Sequence, residues 1–252
     1  MNRNNSILVE TSPWNVIQQA ISDNLICVLP IGAVCKEHGL HLPLNTDYVQ
    51  ANWLAHQLAL RFPLIVWPVI SFAYYPAFTD YPGSWSISEN TFIQCVTDIL
   101  DSVGKHGENQ LIFINTGIST IRPLEVAISQ SPYEQRTTLI NVYSGSHVNT
   151  VTNEIEEQKR GGHADELETS IMLAIDESLV SMQFAQAGLV DIKKGPLNLN
   201  YPNKPNYSPT GAMGNPALAT KDKGKKILDA ILKDLKEVIE PIANANSHLK
   251  SR

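Results

Sequence analysis

Short apolar runs alternate with amphipathic stretches along most of this sequence. The apolar runs show little polar alternation, which is the pattern of strands buried on both faces of a sheet. They occupy residues 25–31, 64–70, 111–114 and 138–143. The amphipathic stretches predict helices over residues 12–22, 48–61, 166–176 and 221–244, and a further helix that begins after the N-cap residue Ser88. This alternation predicts an α/β fold, in which a mostly parallel sheet is flanked by helices on both faces.

The composition indicates which kinds of partner the chain can bind. Of the 252 residues, 43% are hydrophobic, so the chain can bury a sizeable core, and we expect residues 1–252 to form one domain. The formal net charge of -6 argues against a nucleic-acid-binding protein. No apolar run has the length of a signal peptide or of a membrane span, and the three cysteines show no paired spacing. We therefore expect a cytoplasmic protein that acts on a small molecule and binds neither nucleic acid nor membrane.

The loop after the first predicted strand carries the densest group of reactive side chains. Residues 36–47 read KEHGLHLPLNTD and bring imidazoles, carboxylates and an ammonium to the edge of the sheet where ligands bind in parallel α/β folds. Imidazole and carboxylate are ligands for zinc, manganese and iron, which makes His38 and Asp47 candidate metal ligands. The alternative is that Asp47 only begins a helix and that His38 is a hydrogen-bonded loop residue.

A second group of reactive side chains occurs at residues 161–170, GGHADELETS. His163 lies at the entry to a predicted helix, where the positive end of the helix dipole disfavours the imidazolium and suits a proton-transfer residue. Glu168 follows five residues later. The alternative is an exposed helix start whose acidic residues complement the dipole.

Together these segments resemble the creatininase (creatinine amidohydrolase) family. The family loop is matched by LPIGAVCKEHGLHLPLNTD, residues 29–47. Residues 81–84 (YPGS) resemble its Phe-Pro-Gly-Thr segment, and GGHADELETSIML resembles its Gly-His-Ala…Glu-Thr-Ser helix start. Residues 208–216 and the following ALATKDKG resemble its closing stretch. The segment 191–216 is also rich in Pro, Gly and Asn, which predicts a long loop over the surface or across a subunit contact.

The resemblance implies an α/β fold assembled as a hexamer, with one or two divalent metals at the strand ends. By position, His38 and Asp47 match metal ligands, and Glu168 matches a further ligand. His163 matches the histidine that passes a proton to the leaving nitrogen. The candidate substrate-binding residues are Ser84, Trp85 and Ser119. Trp85 belongs to an aromatic cluster that would form either an apolar wall for a flat substrate or part of the core.

Two departures from the family pattern bear on the metal. Lys36 stands where the family has a glutamate ligand, and Glu37 follows one residue later. Either a bulge in the loop lets Glu37 bind the metal, or the Lys36 ammonium takes the place of a cation. Gly117 stands where the family's Asn-Gly-His-Gly-Gly-Asn segment has its metal-binding histidine, with His41 as a candidate replacement. We therefore expect one divalent metal per subunit, zinc in preference to manganese or iron, bound by His38, Asp47 and Glu168, with Glu37 as a further candidate.

The sequence thus predicts a metal-dependent amidohydrolase. It would cleave a C–N bond of a small amide, cyclic amide or formamide by metal-activated water, with His163 as the catalytic residue. One alternative is a catalytically inactive creatininase-like protein that binds a small molecule or a partner chain. A third hypothesis is a lyase or isomerase that uses Lys36 as a base or a Schiff-base amine.

Overall fold

A five-stranded parallel sheet forms the centre of the molecule, as seen in a computed structural model that describes residues 6–249. The strands are β1 (Ile7–Leu8), β2 (Ile26–Ile31), β3 (Leu64–Val66), β4 (Leu111–Asn115) and β5 (Thr137–Asn141). Their order is β1-β3-β2-β4-β5, and every neighbouring pair is parallel. β3 is shorter than predicted because Pro68 has no N–H to donate, although Ile70 N–H donates to the Pro30 carbonyl and restores contact with β2.

Helices cover both faces of the sheet, which confirms the predicted fold class. They are α1 (Trp14–Ser22), α2 (Thr46–Ala59), α3 (Glu89–Gly104), α4 (Ile121–Ser129), α5 (Ser146–Ile155), α6 (Glu166–Asp176) and α7 (Lys221–Leu249). Successive residues of β2 point to opposite faces: Val28 packs in the core beneath α2, α5, α6 and α7, whereas Leu29 packs in the core beneath α1, α3 and α4. The five predicted helices are present, while α4, α5 and β1 were not predicted.

The loop that carries the reactive side chains packs against the sheet at the end of β2. Gly32 follows the strand, and a Cβ at this position would overlap the carbonyl oxygen of Asp47 in the first turn of α2. The glycine therefore allows α2 to begin directly above the strand end. Ile31 pairs with Asn115 at the end of β4, so the segment after β4 lies beside the same loop.

The chain between α6 and α7 crosses this edge of the sheet without a strand or a helix longer than three residues. Leu197 N–H donates to the carbonyl of Ala77 (3.0 Å), and Met213 pairs with His163 through two backbone hydrogen bonds. The long loop predicted at residues 191–216 is therefore present, and it covers the strand ends. No helix in the described part of the chain is long and apolar enough to cross a membrane.

Candidate active site

Two segments meet at the carboxyl edge of the sheet: the loop 36–47, which follows β2, and residues 163–168, which lead into α6. His38 and Asp47 are completely buried, and His163 is almost so. Asp165 caps α6 by accepting hydrogen bonds from Leu167 N–H and Glu168 N–H (2.9 Å each), which fixes the first turn that carries Glu168. The structure therefore brings the predicted residues of both segments into one site.

Asp47 is held between an ammonium and an imidazole. Lys36 Nζ lies 2.7 Å from Asp47 Oδ2, and His38 Nε2 lies 3.0 Å from Asp47 Oδ1. Burial alone would raise the pKa of Asp47, but the Lys36 ammonium and the His38 imidazole outweigh it and leave that pKa well below its usual value. The carboxylate therefore stays ionised, with the Lys36 ammonium as its counter-charge.

Glu37 points at the second segment. Its Oε2 lies 3.0 Å from His163 Nε2, while its Oε1 accepts the backbone N–H of Gly39. Burial would raise the pKa of Glu37, but the hydrogen bond and charge of His163, helped by Gly39 and His38, leave it lowered. Because a carboxylate can only accept, His163 donates from Nε2 and carries its lone pair on Nδ1 when neutral. Glu37 and His163 thus form an oriented carboxylate–imidazole pair.

His38 is oriented so that its free nitrogen faces carboxylate oxygens. Nδ1 lies 2.8 Å from the Lys36 carbonyl, to which it must donate, so the neutral imidazole carries its lone pair on Nε2. Nε2 in turn lies 3.0 Å from Asp47 Oδ1 and 3.6 Å from Glu168 Oε1. Three electron-pair donors therefore converge, and they need either a proton on the imidazole or a cation among them.

This donor set fits one divalent cation. Ligand atoms about 2.0–2.1 Å from a tetrahedral zinc are roughly 3.3 Å apart, which is close to the distances from His38 Nε2 to the two carboxylate oxygens. A histidine ligand usually donates its other N–H to an oxygen acceptor, as His38 does to the Lys36 carbonyl. The ligand atoms that all lie within 4.8 Å of one another are those of His38, His163 and Glu168, so His163 is an alternative to Asp47 as the third ligand. Three carboxylates (Glu37, Asp47, Glu168) face one ammonium (Lys36) and two imidazoles, so a bound cation or protonation of the imidazoles balances the remaining negative charge.

A second cation has no comparable site beside Asp47. The Lys36 ammonium already supplies a positive charge to Oδ2, and Gly117 offers no ligand. A Cβ on Gly117 would come within 3.2 Å of Tyr75 Cε1 and 2.7 Å of Thr120 Oγ1, so the Tyr75 ring occupies the space into which a side chain would project. Of the two interpretations of the loop, the structure places the Lys36 ammonium where a cation would pair with Asp47, while Glu37 turns to His163.

A cavity of about 390 Å³ opens above these residues. Lys36, His163 and Glu168 lie on its wall together with the apolar side chains of Phe78, Ile118 and Leu197. Its size and mixed lining suit a small molecule. The chain between α6 and α7 contributes Leu197 and Met213 to the wall, so the long loop is part of the site.

The predicted substrate-binding residues occupy different places. Ser119 lines the cavity. Ser84 Oγ instead accepts the backbone N–H of Glu37 (2.7 Å) and holds the loop, while Trp85 packs its ring on Phe72 at the surface, with centroids 4.8 Å apart. His41, a candidate replacement ligand, places Nε2 2.7 Å from Thr169 Oγ1, and burial lowers its pKa to about 4.

The sequence placed Tyr75 in the aromatic cluster that would form either core or a wall for a substrate, but it gave no role to the Tyr75 hydroxyl or to Asp165. Tyr75 is buried in the cavity wall, and its hydroxyl has no hydrogen-bond partner among the described residues. Burial, with a further contribution from Asp47, raises its pKa well above the usual value, so the hydroxyl stays protonated. Asp165 had a local signal, since an Asp immediately before an amphipathic run is a common N-cap.

Comparison with known proteins agrees with this architecture. The creatininase family model, described as creatinine amidohydrolase, matches residues 10–239. Among curated relatives, creatinine amidohydrolase from Pseudomonas putida is 21% identical over 93% of this chain and 96% of its own length. A 3-dehydro-scyllo-inosose hydrolase from Thermotoga maritima is 22% identical over 96% of this chain and 85% of its own.

Solved structures give the same fold. A mutant creatininase of the Zn-Zn type superimposes with a TM-score of 0.82 at 20% identity, over 94% of this chain and 98% of that one. A creatininase of the Mn form gives a TM-score of 0.80 at 19% identity, over 94% and 98% of the two chains. Both curated relatives are hydrolases, which supports hydrolase activity for this chain. Since the family model covers most of the sequence, the chain belongs to the creatininase family.

Proposed function

We propose that this protein is a metal-dependent hydrolase that cleaves a C–N bond of a small amide, cyclic amide or formamide. The observation that carries the proposal is the oriented pair Glu37–His163 (3.0 Å), which lies beside the converging donors around His38 Nε2. A base fixed by a carboxylate, next to a group of atoms suited to one cation, is an arrangement for hydrolysis.

His38, Asp47 and Glu168 would hold the ion, which would supply Lewis acidity and lower the pKa of a neighbouring water. Zinc suits this set of one nitrogen and two carboxylate oxygens, and related creatininases have been solved in Zn-Zn and Mn forms. We assign Glu37 to proton transfer rather than to the ion, because it contacts His163, the proposed base, whereas Asp47 and Glu168 lie against His38 Nε2.

The residues of the chain would divide the reaction between them. His163 Nδ1, 3.7 Å from Glu168 Oε2, carries the lone pair that takes a proton from water as the water attacks the carbonyl carbon. Glu37 stabilises the imidazolium and fixes the ring. The same proton then passes to the departing nitrogen as the C–N bond breaks, which leaves a carboxylic acid and an amine.

The lyase hypothesis receives less support from the geometry. Lys36 would need a free amine to act as a base or to form a Schiff base, whereas its ion pair with Asp47 at 2.7 Å stabilises the ammonium. Family membership leaves the substrate open, since the two curated relatives are named for different substrates.

The first experiment is metal content per chain, measured by mass spectrometry on protein purified without added metal. We expect about one ion in the wild type and in His106→Ala, an exposed histidine away from the site, and none in His38→Ala or Glu168→Gln. His163→Ala should keep its ion and lose turnover. Loss of the ion in His163→Ala would instead make His163 a ligand and contradict its assignment as the base.

Turnover is tested on the same proteins with creatinine, hydantoin and N-formyl compounds, by following release of the amine or acid. Hydrolysis of any of these that is lost in His163→Ala supports the proposal. Metal-loaded protein that binds but hydrolyses none of them would favour the inactive, ligand-binding alternative.

A further inference from the structure

The cavity wall contains a buried hydroxyl that the fold leaves without a partner. Tyr75 is 3% exposed, its oxygen makes no hydrogen bond to the described residues, and it lines the same cavity as His163 and Glu168. A buried hydroxyl without a partner is costly, and a catalytic role or a bound molecule is one explanation for such a group in a native protein. Because Gly117 has no side chain, the Tyr75 ring can occupy this position.

The Lys36 ammonium faces the ring that carries this hydroxyl. Lys36 is also almost fully buried, and Nζ lies 5.6 Å from the centroid of the Tyr75 ring and 5.1 Å from that of Phe78. Asp47 is the carboxylate that pairs with it among the described residues, so the ammonium retains hydrogens that can be donated elsewhere. Two buried donors, one charged and one neutral, therefore line one part of the cavity.

These donors lie near the proton-transfer pair. The Phe78 ring contacts the Lys36 ammonium, and its centroid lies 4.3 Å from that of the His163 ring. A substrate whose nitrogen approaches His163 would therefore lie in the same cavity as Lys36 and Tyr75. Lys36 and Tyr75 both donate hydrogens, so the pair suits an oxygen that carries negative charge, as in the tetrahedral intermediate.

We propose that Lys36 Nζ and Tyr75 Oη together bind the carbonyl oxygen of the substrate and stabilise the negative charge that it gains during hydrolysis. This inference rests on the proposed function. As the water oxygen bonds to the carbonyl carbon, the π pair moves to the carbonyl oxygen between the two donors. The pair returns as the C–N bond breaks, and the nitrogen leaves with the proton carried by His163.

The decisive variant is Tyr75→Phe, because it removes only a hydroxyl that has no partner among the described residues and should not lower the melting temperature. On the amide that the wild type hydrolyses fastest, we expect kcat to fall about 100-fold, the effect of losing one donor to an oxyanion, with little change in KM. Lys36→Met should act in the same direction. The matched control is Tyr74→Phe, whose side chain does not line the cavity and whose kcat should match the wild type.

A binding measurement separates this inference from the proposed function. Methylphosphonate carries its oxygens on a tetrahedral phosphorus, like the oxygens on the carbon of the intermediate. Its affinity for zinc-loaded protein is measured by calorimetry. We expect Tyr75→Phe to bind it at least about tenfold more weakly than Tyr74→Phe does, which is equivalent to about 1.4 kcal/mol. If the wild type hydrolyses no amide but shows this loss, the donor pair stands and the proposed function fails. An active protein in which Tyr75→Phe changes neither kcat nor methylphosphonate affinity would overturn the donor pair alone. A rise in KM at constant kcat would also overturn it, since it would indicate ground-state binding.

Discussion

His38 and His41 lie three residues apart in one loop, yet their surroundings give them different chemistry. His38 faces the carboxylates of Asp47 and Glu168, whereas His41 is buried against the hydroxyl of Thr169. Burial lowers the pKa of His41 to about 4, against the attraction of Glu168 and Glu37. His41 is therefore neutral at physiological pH, and its function at this position is to pack the loop against α6.

The lowered pKa of His41 predicts a pH dependence of stability. Folding lowers this pKa from 6.5 to about 4, so between these values the unfolded chain binds a proton that the folded chain does not. The free energy of unfolding should therefore fall as the pH decreases from 6.5 to 4. At about 1.4 kcal/mol per pH unit, the loss from this one group is at most about 3 kcal/mol.

The measurement is urea unfolding at several pH values in EDTA, on the wild type and His41→Gln. Glutamine can still reach Thr169 but does not titrate, so its slope between pH 4 and 6.5 should be shallower than that of the wild type. Equal slopes in the two proteins would mean that His41 titrates alike in the folded and unfolded chains.

At this scale the sequence singled out candidate residues that the structure brings together, but it did not predict how they pair. Glu37, His38, Asp47, His163 and Glu168 were all identified, because imidazoles and carboxylates at strand ends and helix starts carry a local signal. The pairing of Glu37 with His163 depends on two segments far apart in the chain, and the pairing of Lys36 with Asp47 depends on how the loop folds. Tyr75 belongs to the predicted aromatic cluster, whose pattern is typical of a core as well as of a substrate wall.

Among the elements, α5 shows why some helices escape prediction. The residue before it is Gly145, which provides no side-chain cap. Its cap comes instead from α7, where Asp234 accepts hydrogen bonds from His147 N–H (3.0 Å) and Val148 N–H (2.9 Å). A cap supplied from nearly ninety residues away leaves no pattern in the local sequence. Ser88 and Asp165, by contrast, immediately precede α3 and α6, and both of these helices were predicted.

Removing this distant cap should destabilise the fold. We expect Asp234→Ala to lower the free energy of unfolding by about 1–2 kcal/mol, as the loss of an N-cap does, because two helix N–H groups lose their acceptor. Asp229→Ala, an exposed aspartate on the same helix, should cost much less. Chemical denaturation of the two variants gives the comparison, and equal losses would show that the bonds from Asp234 do not stabilise α5.

For the whole molecule, the excess negative charge of the site ties stability to a cation. A bound cation would compensate the clustered carboxylates of the folded site, so EDTA-treated protein should melt at a higher temperature when zinc is added. At one hundred times the dissociation constant, the gain is about 2.7 kcal/mol. Glu168→Gln should lose most of this gain, whereas Glu125→Gln, an exposed residue of α4, should keep it. An equal zinc response in both variants would place the bound ion elsewhere.

Association of subunits is a second prediction for the whole molecule. The family resemblance implies a hexamer, and large apolar side chains are exposed beside the cavity, among them Ile118 at 71% and Ile192 at 39%. Such side chains are often covered by a partner. Sedimentation at micromolar concentration should therefore show a species several times the 27.8 kDa of one chain. A single species of one-chain mass across the concentration range would contradict the prediction.

The pairing of Glu37 with His163 joins residues 126 positions apart, and this separation has a consequence for the order of folding. For the two to meet, the chain must close a loop that contains β3, β4, β5 and the helices α2 to α5. Contacts of such long range form slowly, because the entropy of closing the loop must be overcome first. The rate at which a refolding chain captures zinc would therefore report the docking of its two halves rather than the formation of its first strands.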